Sequence, residues 1–83
     1  MQSEDEIVDR IVRLFARELG VSEVGPDTHF LFTGGDSLNA ESLVIAVGTE
    51  FSVRLKTAIL LDAPTPRALA RVVLARIAED HST

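Results

Sequence analysis

Gly34-Gly35-Asp36-Ser37-Leu38 converts a loop into a helix and sets one serine at the junction. The two glycines admit positive φ without a Cβ penalty. Asp36 is a good N-cap, because its carboxylate accepts from first-turn N–H groups that have no partner inside the helix. Ser37 then takes the first helical position, with its hydroxyl in water. Beyond it, Ala40, Leu43, Val44, Val47 and Phe51 recur at helical spacing and predict a buried stripe along a helix from Ser37 to Phe51. Leu38, Glu41, Ser42, Ile45, Gly48 and Thr49 fall toward the other side. Gly48 is unfavourable inside a helix by up to ~1 kcal/mol, so it is either tolerated or there to admit a close neighbour.

Working outward, Ser3 to Leu19 has the marks of a first helix. Ser3 and Glu6 have capping-box spacing. Glu4, Asp5 and Glu6 suit the positive end of the helix dipole, and Arg13 and Arg17 the later turns. Ile7, Val8, Ile11, Val12, Leu14, Phe15 and Leu19 form a broad apolar face. Glu6–Arg10 and Asp9–Arg13 are i,i+4 pairs in the better orientation. Gly20 is a natural stop. Residues 20–36 form a long connection in which Val21, Val24, Phe30, Leu31 and Phe32 predict packing onto the helices. The Phe30–Phe32 run has no evident partner strand. A short helix is expected around Thr57–Leu61, ended by Asp62-Ala63-Pro64. Thr65 as N-cap and Pro66 at the first position open a last helix. Its core face is Leu69, Val72, Val73 and Ile77, with Arg67, Arg71 and Arg76 mostly elsewhere, and His81-Ser82-Thr83 is expected to fray. The expectation is an all-α, four-helix bundle with a long first loop and a short third helix, one domain over residues 1–83.

Composition narrows the function. The absence of Cys excludes disulfides, thiolate metal sites and thiol catalysis. The acidic start Met1-Gln2-Ser3-Glu4-Asp5-Glu6 shows no secretory or transit signal, and no apolar run is long enough to cross a bilayer. A cytoplasmic monomer with no membrane partner is the expectation. Net charge is −5, and all eight basic residues lie at positions 10–17 or 54–76. Between Glu18 and Val53 the only charges are Glu18, Glu23, Asp27, Asp36, Glu41 and Glu50, so Ser37 sits in an anionic segment. Nucleic acid is not an expected partner, since phosphate contacts need clustered Arg and Lys. A basic protein surface fits better.

A serine activated by its own protein needs a positioned base. The chain offers His29, on the loop, and His81, in the tail, and no oxyanion hole is evident. A serine modified by a partner enzyme needs neither.

The chain resembles the carrier-protein family, the acyl and peptidyl carrier proteins that hold a 4′-phosphopantetheine arm. The resemblance covers about residues 6–78 and centres on Asp27-Thr28-His29-Phe30-Leu31-Phe32-Thr33-Gly34-Gly35-Asp36-Ser37-Leu38. This looks like the family's Asp-x-x-Phe-Phe-x-Leu-Gly-Gly-Asp-Ser-Leu pattern, with Leu31 for the second Phe and Thr33 for Leu. Phe51-Ser52-Val53-Arg54-Leu55, Leu60-Leu61-Asp62-Ala63-Pro64-Thr65 and Ala68-Leu69-Ala70 follow in register. The paired glycines, the Ala-Pro-Thr and a second helix with only Glu41 and Glu50 lean toward the peptidyl, natural-product branch. The fold implied is the acyl-carrier type of four-helix bundle.

The resemblance implies a carrier that is not an enzyme. Ser37 Oγ would attack the pyrophosphate of coenzyme A, with a phosphopantetheinyl transferase supplying Mg²⁺ and the base. The arm's thiol would then hold acyl or aminoacyl groups as thioesters. An adenylating or acyl-loading enzyme and downstream tailoring or condensing enzymes are the further partners implied, in nonribosomal peptide or polyketide biosynthesis. Asp36 would help the transferase dock, and Leu38, Glu41, Ser42 and Ile45 form the expected partner-facing set. The alternative is a non-catalytic helical interaction domain of similar fold without the arm. Gly-Asp-Ser-Leu also resembles a motif of lipolytic hydrolases, but 83 residues cannot build their α/β fold, and Asp80 and His81 are adjacent rather than spaced as Asp-x-x-His. The chain starts near the first helix and stops after the last, which leaves open a free-standing carrier or an excised domain of a megasynthase.

Overall fold

The computed structural model describes residues 3–81. In chain order the elements are α1 (Glu4–Leu19), a 3-10 turn η1 (Phe30–Thr33), α2 (Ser37–Phe51), α3 (Ile59–Asp62) and α4 (Pro66–His81). No strand occurs among the described residues.

Helix α1 begins where Ser3 Oγ accepts the Glu6 N–H at 3.2 Å and ends at Gly20, whose left-handed φ of 66° turns its own N–H onto the Ala16 carbonyl. Its apolar face packs against both α2 and α4. Ile7, Ile11 and Phe15 meet Leu43 and Val47 of α2 and Leu69 and Val73 of α4 in a core where all seven are fully buried. Burial of each such side chain stabilises the fold by roughly 1.5–3 kcal/mol relative to exposure. The stripe Ala40, Leu43, Val44, Val47 and Phe51 is buried along its whole length, as its spacing predicts.

A tertiary contact displaces one of the expected pairs within α1. Neither Glu6–Arg10 nor Asp9–Arg13 is among the ion pairs of the described residues. Arg10 instead binds Glu50 and lies over the Phe51 ring, 4.8 Å from its centroid. The end of α2 offers a carboxylate and an aromatic face together, which one residue of the same helix cannot match. Gly48 has a reason in the same region. Ser52 takes a left-handed φ of 56° and the chain folds back, so that Val53 N–H bonds the Gly48 carbonyl at 3.0 Å. A Cβ on Gly48 would lie 2.8 Å from the Val53 carbonyl oxygen.

The long connection is fastened to the α3–α4 corner. Phe30 N–H donates to the Pro64 carbonyl at 2.8 Å, and Arg67 N–H to that of Pro26 at 2.9 Å. The Arg67 guanidinium also grips both carboxylate oxygens of Asp27. Only part of the loop's apolar set packs inward: Phe30 is buried and Val24 lies against the core, but Leu31 and Phe32 are 66% and 88% exposed. The cause is η1 itself. With three residues per turn, a 3-10 segment aims one of three consecutive side chains at the core.

Helix α3 starts two residues later than expected, preceded by a turn at Thr57-Ala58. Leu60 points in and Leu61 points out. Helix α4 opens as expected, with Thr65 Oγ1 accepting from Ala68 N–H at 3.1 Å and Pro66 at its first position. It runs on through His81, where fraying is expected from the sequence; Ser82 and Thr83 lie outside the described residues.

Candidate functional site

Ser37 is the first residue of α2, and its side chain is exposed. The cap before it is tighter than the sequence suggests. Asp36 Oδ1 accepts the Asn39 N–H at 3.0 Å, and Asn39 Oδ1 accepts the Asp36 N–H at 3.3 Å. This reciprocal box fixes the backbone on both sides of the serine. Asn39 Nδ2 also reaches the Glu18 carbonyl at 3.4 Å, tying the helix start to the end of α1. Asn39 is a positioning residue missed from the sequence; the Asp-x-x-Asn spacing is the signal that would have found it.

The two glycines do different jobs. Gly34 has positive φ, at 80°, as expected. Gly35 does not. Its missing side chain makes room for Phe30, since a Cβ there would stand 2.6 Å from Phe30 Cζ and 2.8 Å from Cε1. Gly35 is thus required by contact rather than by backbone conformation.

Among the described residues no general base is hydrogen-bonded to Ser37. Its hydroxyl makes no hydrogen bond to protein among the described residues. Asp36 is committed to the cap. His29 is the nearer of the two imidazoles in sequence, but its Nδ1 accepts the Leu31 N–H at 3.1 Å, and its ring packs on Phe32 at 5.2 Å between centroids. The described residues contain no cluster of three or more His, Asp or Glu that could hold a metal ion.

Beside the serine an apolar groove of about 450 Å³ runs between η1, the start of α2 and α3. Phe30, Leu31, Asp36, Ser37, Ala40, Leu60 and Leu61 are among the residues that line it. Leu61 is 84% exposed. This groove is not legible in the sequence, because it arises where η1 and the start of α2 meet the α3 segment.

On α2 the other expected residues are all exposed. Leu38 and Ile45 are two turns apart on one face, with Glu41 and Ser42 between them. Among the described residues Asp36 and Glu41 have no cationic partner, whereas Arg10, Arg17, Arg67 and Arg71 are each taken up by a carboxylate. The hydrogen bond from Arg67, reinforced by its charge, holds the Asp27 carboxyl below its ordinary pKa. No helix among the described residues is long and apolar enough to cross a membrane.

The described residues form a small helical bundle with one exposed serine at a helix tip, an arrangement that suits a residue offered to another protein. Comparison with known proteins agrees. The chain matches the phosphopantetheine attachment site family over residues 9–73, and it belongs to that family. Over 68 residues it is 38% identical to tyrocidine synthase 2 of Brevibacillus parabrevis, a match that takes in 82% of this chain and 2% of that protein. It superposes on BlmI, a type-II acyl carrier protein from Streptomyces verticillus involved in bleomycin biosynthesis, with a TM-score of 0.83 and 26% identity over 89% of each chain. A peptidyl carrier protein solved with the phosphopantetheine transferase Sfp and coenzyme A gives a TM-score of 0.80 and 30% identity, covering 92% of this chain and 95% of that one. The chain is therefore a non-catalytic carrier domain of the nonribosomal peptide and polyketide type, and its family carries 4′-phosphopantetheine.

Proposed function

We propose that Ser37 Oγ is the attachment point of the 4′-phosphopantetheine arm. The observation that carries this is the exposed, unpaired hydroxyl at the first position of α2, held by the Asp36–Asn39 box. The residues present fit the group. The N–H groups of Ser37 and Leu38 have no acceptor among the described residues, so the positive end of α2 faces a phosphodiester placed on Ser37. When bound, the arm supplies a thiol that holds an acyl or aminoacyl group as a thioester. Ser37 supplies only its oxygen. An O–P bond to the arm forms as the pyrophosphate bond of coenzyme A breaks and the adenosine bisphosphate leaves. The base and metal come from a transferase, by similarity to the carrier solved with Sfp.

The exposed face of α2 is the proposed meeting place for that transferase, for an adenylating or acyl-loading enzyme and for downstream condensing enzymes. Leu38 and Ile45 provide apolar contact. Asp36 and Glu41 give an anionic rim that suits a basic partner, and Ser42 adds a polar contact. Coenzyme A as donor favours loading in the cytoplasm. Incubation with coenzyme A, Mg²⁺ and a broad-specificity phosphopantetheinyl transferase tests the assignment. The intact mass rises by one arm in the parent and stays unchanged in a folded Ser37→Ala variant. A folded parent that gains no mass overturns it.

A further inference from the structure

We infer that the face between the 54–56 segment and α4 docks a carboxylate-rich segment of a partner protein. Charge is the first reason. Of the eight basic residues, Arg10, Arg17, Arg67 and Arg71 are each held by a carboxylate. The other four, Arg13, Arg54, Lys56 and Arg76, have no ion pair among the described residues. Three of these four stand together. Lys56 and Arg76 line one cleft with Ala58, Ile59 and Asp62, and Arg76 Nη1 donates to the Arg54 carbonyl at 3.3 Å. Asp62 is the one carboxylate in that lining, and neither cation pairs with it. Even with Glu79, three residues on from Arg76, the face keeps an excess of positive charge on a chain whose net charge is −5.

Display is the second reason. After the left-handed turn at Ser52, Val53 is buried and Leu55 packs against the core, while Arg54 and Lys56 are exposed. This alternation anchors the segment by its apolar residues and turns both cations outward. The bond from Arg76 then ties α4 to the same segment. Cations on a fixed backbone steer and register an anionic partner at little ordering cost. Size is the third reason. The cleft, about 260 Å³, lies below the roughly 300–1,000 Å³ of small-molecule sites, so it takes an acidic side chain rather than a metabolite. Nucleic acid and anionic membrane need larger basic clusters, and both repel a chain of this net charge. Helix α3 separates the face from the groove beside Ser37: Thr57, Leu60 and Leu61 line the groove, and Ile59 and Asp62 the cleft. The carrier thus shows an anionic rim at Asp36 and Glu41 to a basic partner and this cationic face to an acidic one.

Amide-resolved NMR titration of the full chain with a capped hexaglutamate peptide at low salt tests this. Saturable shift changes are expected at Arg54, Lys56, Ala58, Ile59 and Arg76, with affinity falling as salt is raised. The double variant Arg54→Glu, Lys56→Glu changes two exposed side chains that make no bond among the described residues, and its amide dispersion should match the parent's. It should bind the peptide about tenfold more weakly. Arg13→Glu, which removes the fourth unpaired cation, on α1, should bind as the parent does. Shift changes spread evenly over all the basic residues overturn the inference. So does an Arg13→Glu variant that loses as much affinity as the double variant, or inorganic phosphate that matches the peptide at equal concentration of charge.

Discussion

Replacing Gly35 by Ala should damage both the fold and the site, through one contact. The new Cβ would stand 2.6, 2.8 and 3.1 Å from Cζ, Cε1 and Cε2 of Phe30. The ring cannot easily yield. It is 5% exposed, and its backbone N–H is bonded to Pro64. Overpacking of this kind costs about 1–3 kcal/mol. Loss of backbone freedom in the unfolded chain offsets about 0.4–1 kcal/mol, because Gly35 has no positive φ to forbid Ala. The net is a destabilisation of about 0.6–2 kcal/mol, which for a domain of this size lowers Tm by about 2–16 °C. Thermal and urea unfolding read it, with an unchanged urea m-value marking a true stability change. Gly25→Ala is the control, since its nearest new contact is at 3.9 Å. Adding Phe30→Leu to Gly35→Ala should recover part of the loss, so the two changes are non-additive. A Gly35→Ala variant as stable as the parent, or strict additivity with Phe30→Leu, would refute the steric reasoning.

Gly48→Ala should also destabilise, although Ala usually gains up to ~1 kcal/mol over Gly inside a helix. The Cβ meets the backbone oxygen of Val53, and a raised Tm would show that this contact relaxes freely. Asp36→Ala should cost about 0.5–2 kcal/mol through loss of the cap and slow arm attachment. Asp36→Asn keeps a capping oxygen and removes the charge, so parent-like stability with slowed transfer is expected; unchanged transfer kinetics would remove the charge from docking. Asp27 gives a pH signature. Its folded pKa is depressed, so its contribution is present above the unfolded value of about 3.9 and is lost as pH falls through the folded one. Asp27→Asn should therefore be slightly less stable than the parent near neutral pH and converge with it in acid, the gap shrinking in high salt because the pair is exposed. A gap that widens on acidification would contradict the sign.

Local signals made most of the frame legible. The bounds of α2 follow from Asp36 and from an apolar period that never breaks, and Thr65-Pro66 marks the start of α4 on similar grounds. Ser37 at the helix tip is likewise a local fact, because capping involves residues three apart. What the sequence hides is set by contacts between distant residues. Arg10 has a good partner in Glu6 by spacing, but Glu50 and Phe51, forty residues on, hold it instead. Leu31 and Phe32 are as apolar as Phe30, and only the three-fold turn of η1 decides which one is buried. Gly35 looks like a turn residue until the Phe30 ring is seen beneath it. The groove is beyond local inference altogether, since its walls come from segments about twenty residues apart.

The claim on which the rest depends is that one hydroxyl, displayed and left unactivated, is the tether. Fragment-ion mass spectrometry of the transferase-treated protein addresses it at single-residue level. The arm should map to Ser37 and to no other serine or threonine of the chain. An arm found at another hydroxyl, such as Ser42, would contradict the account.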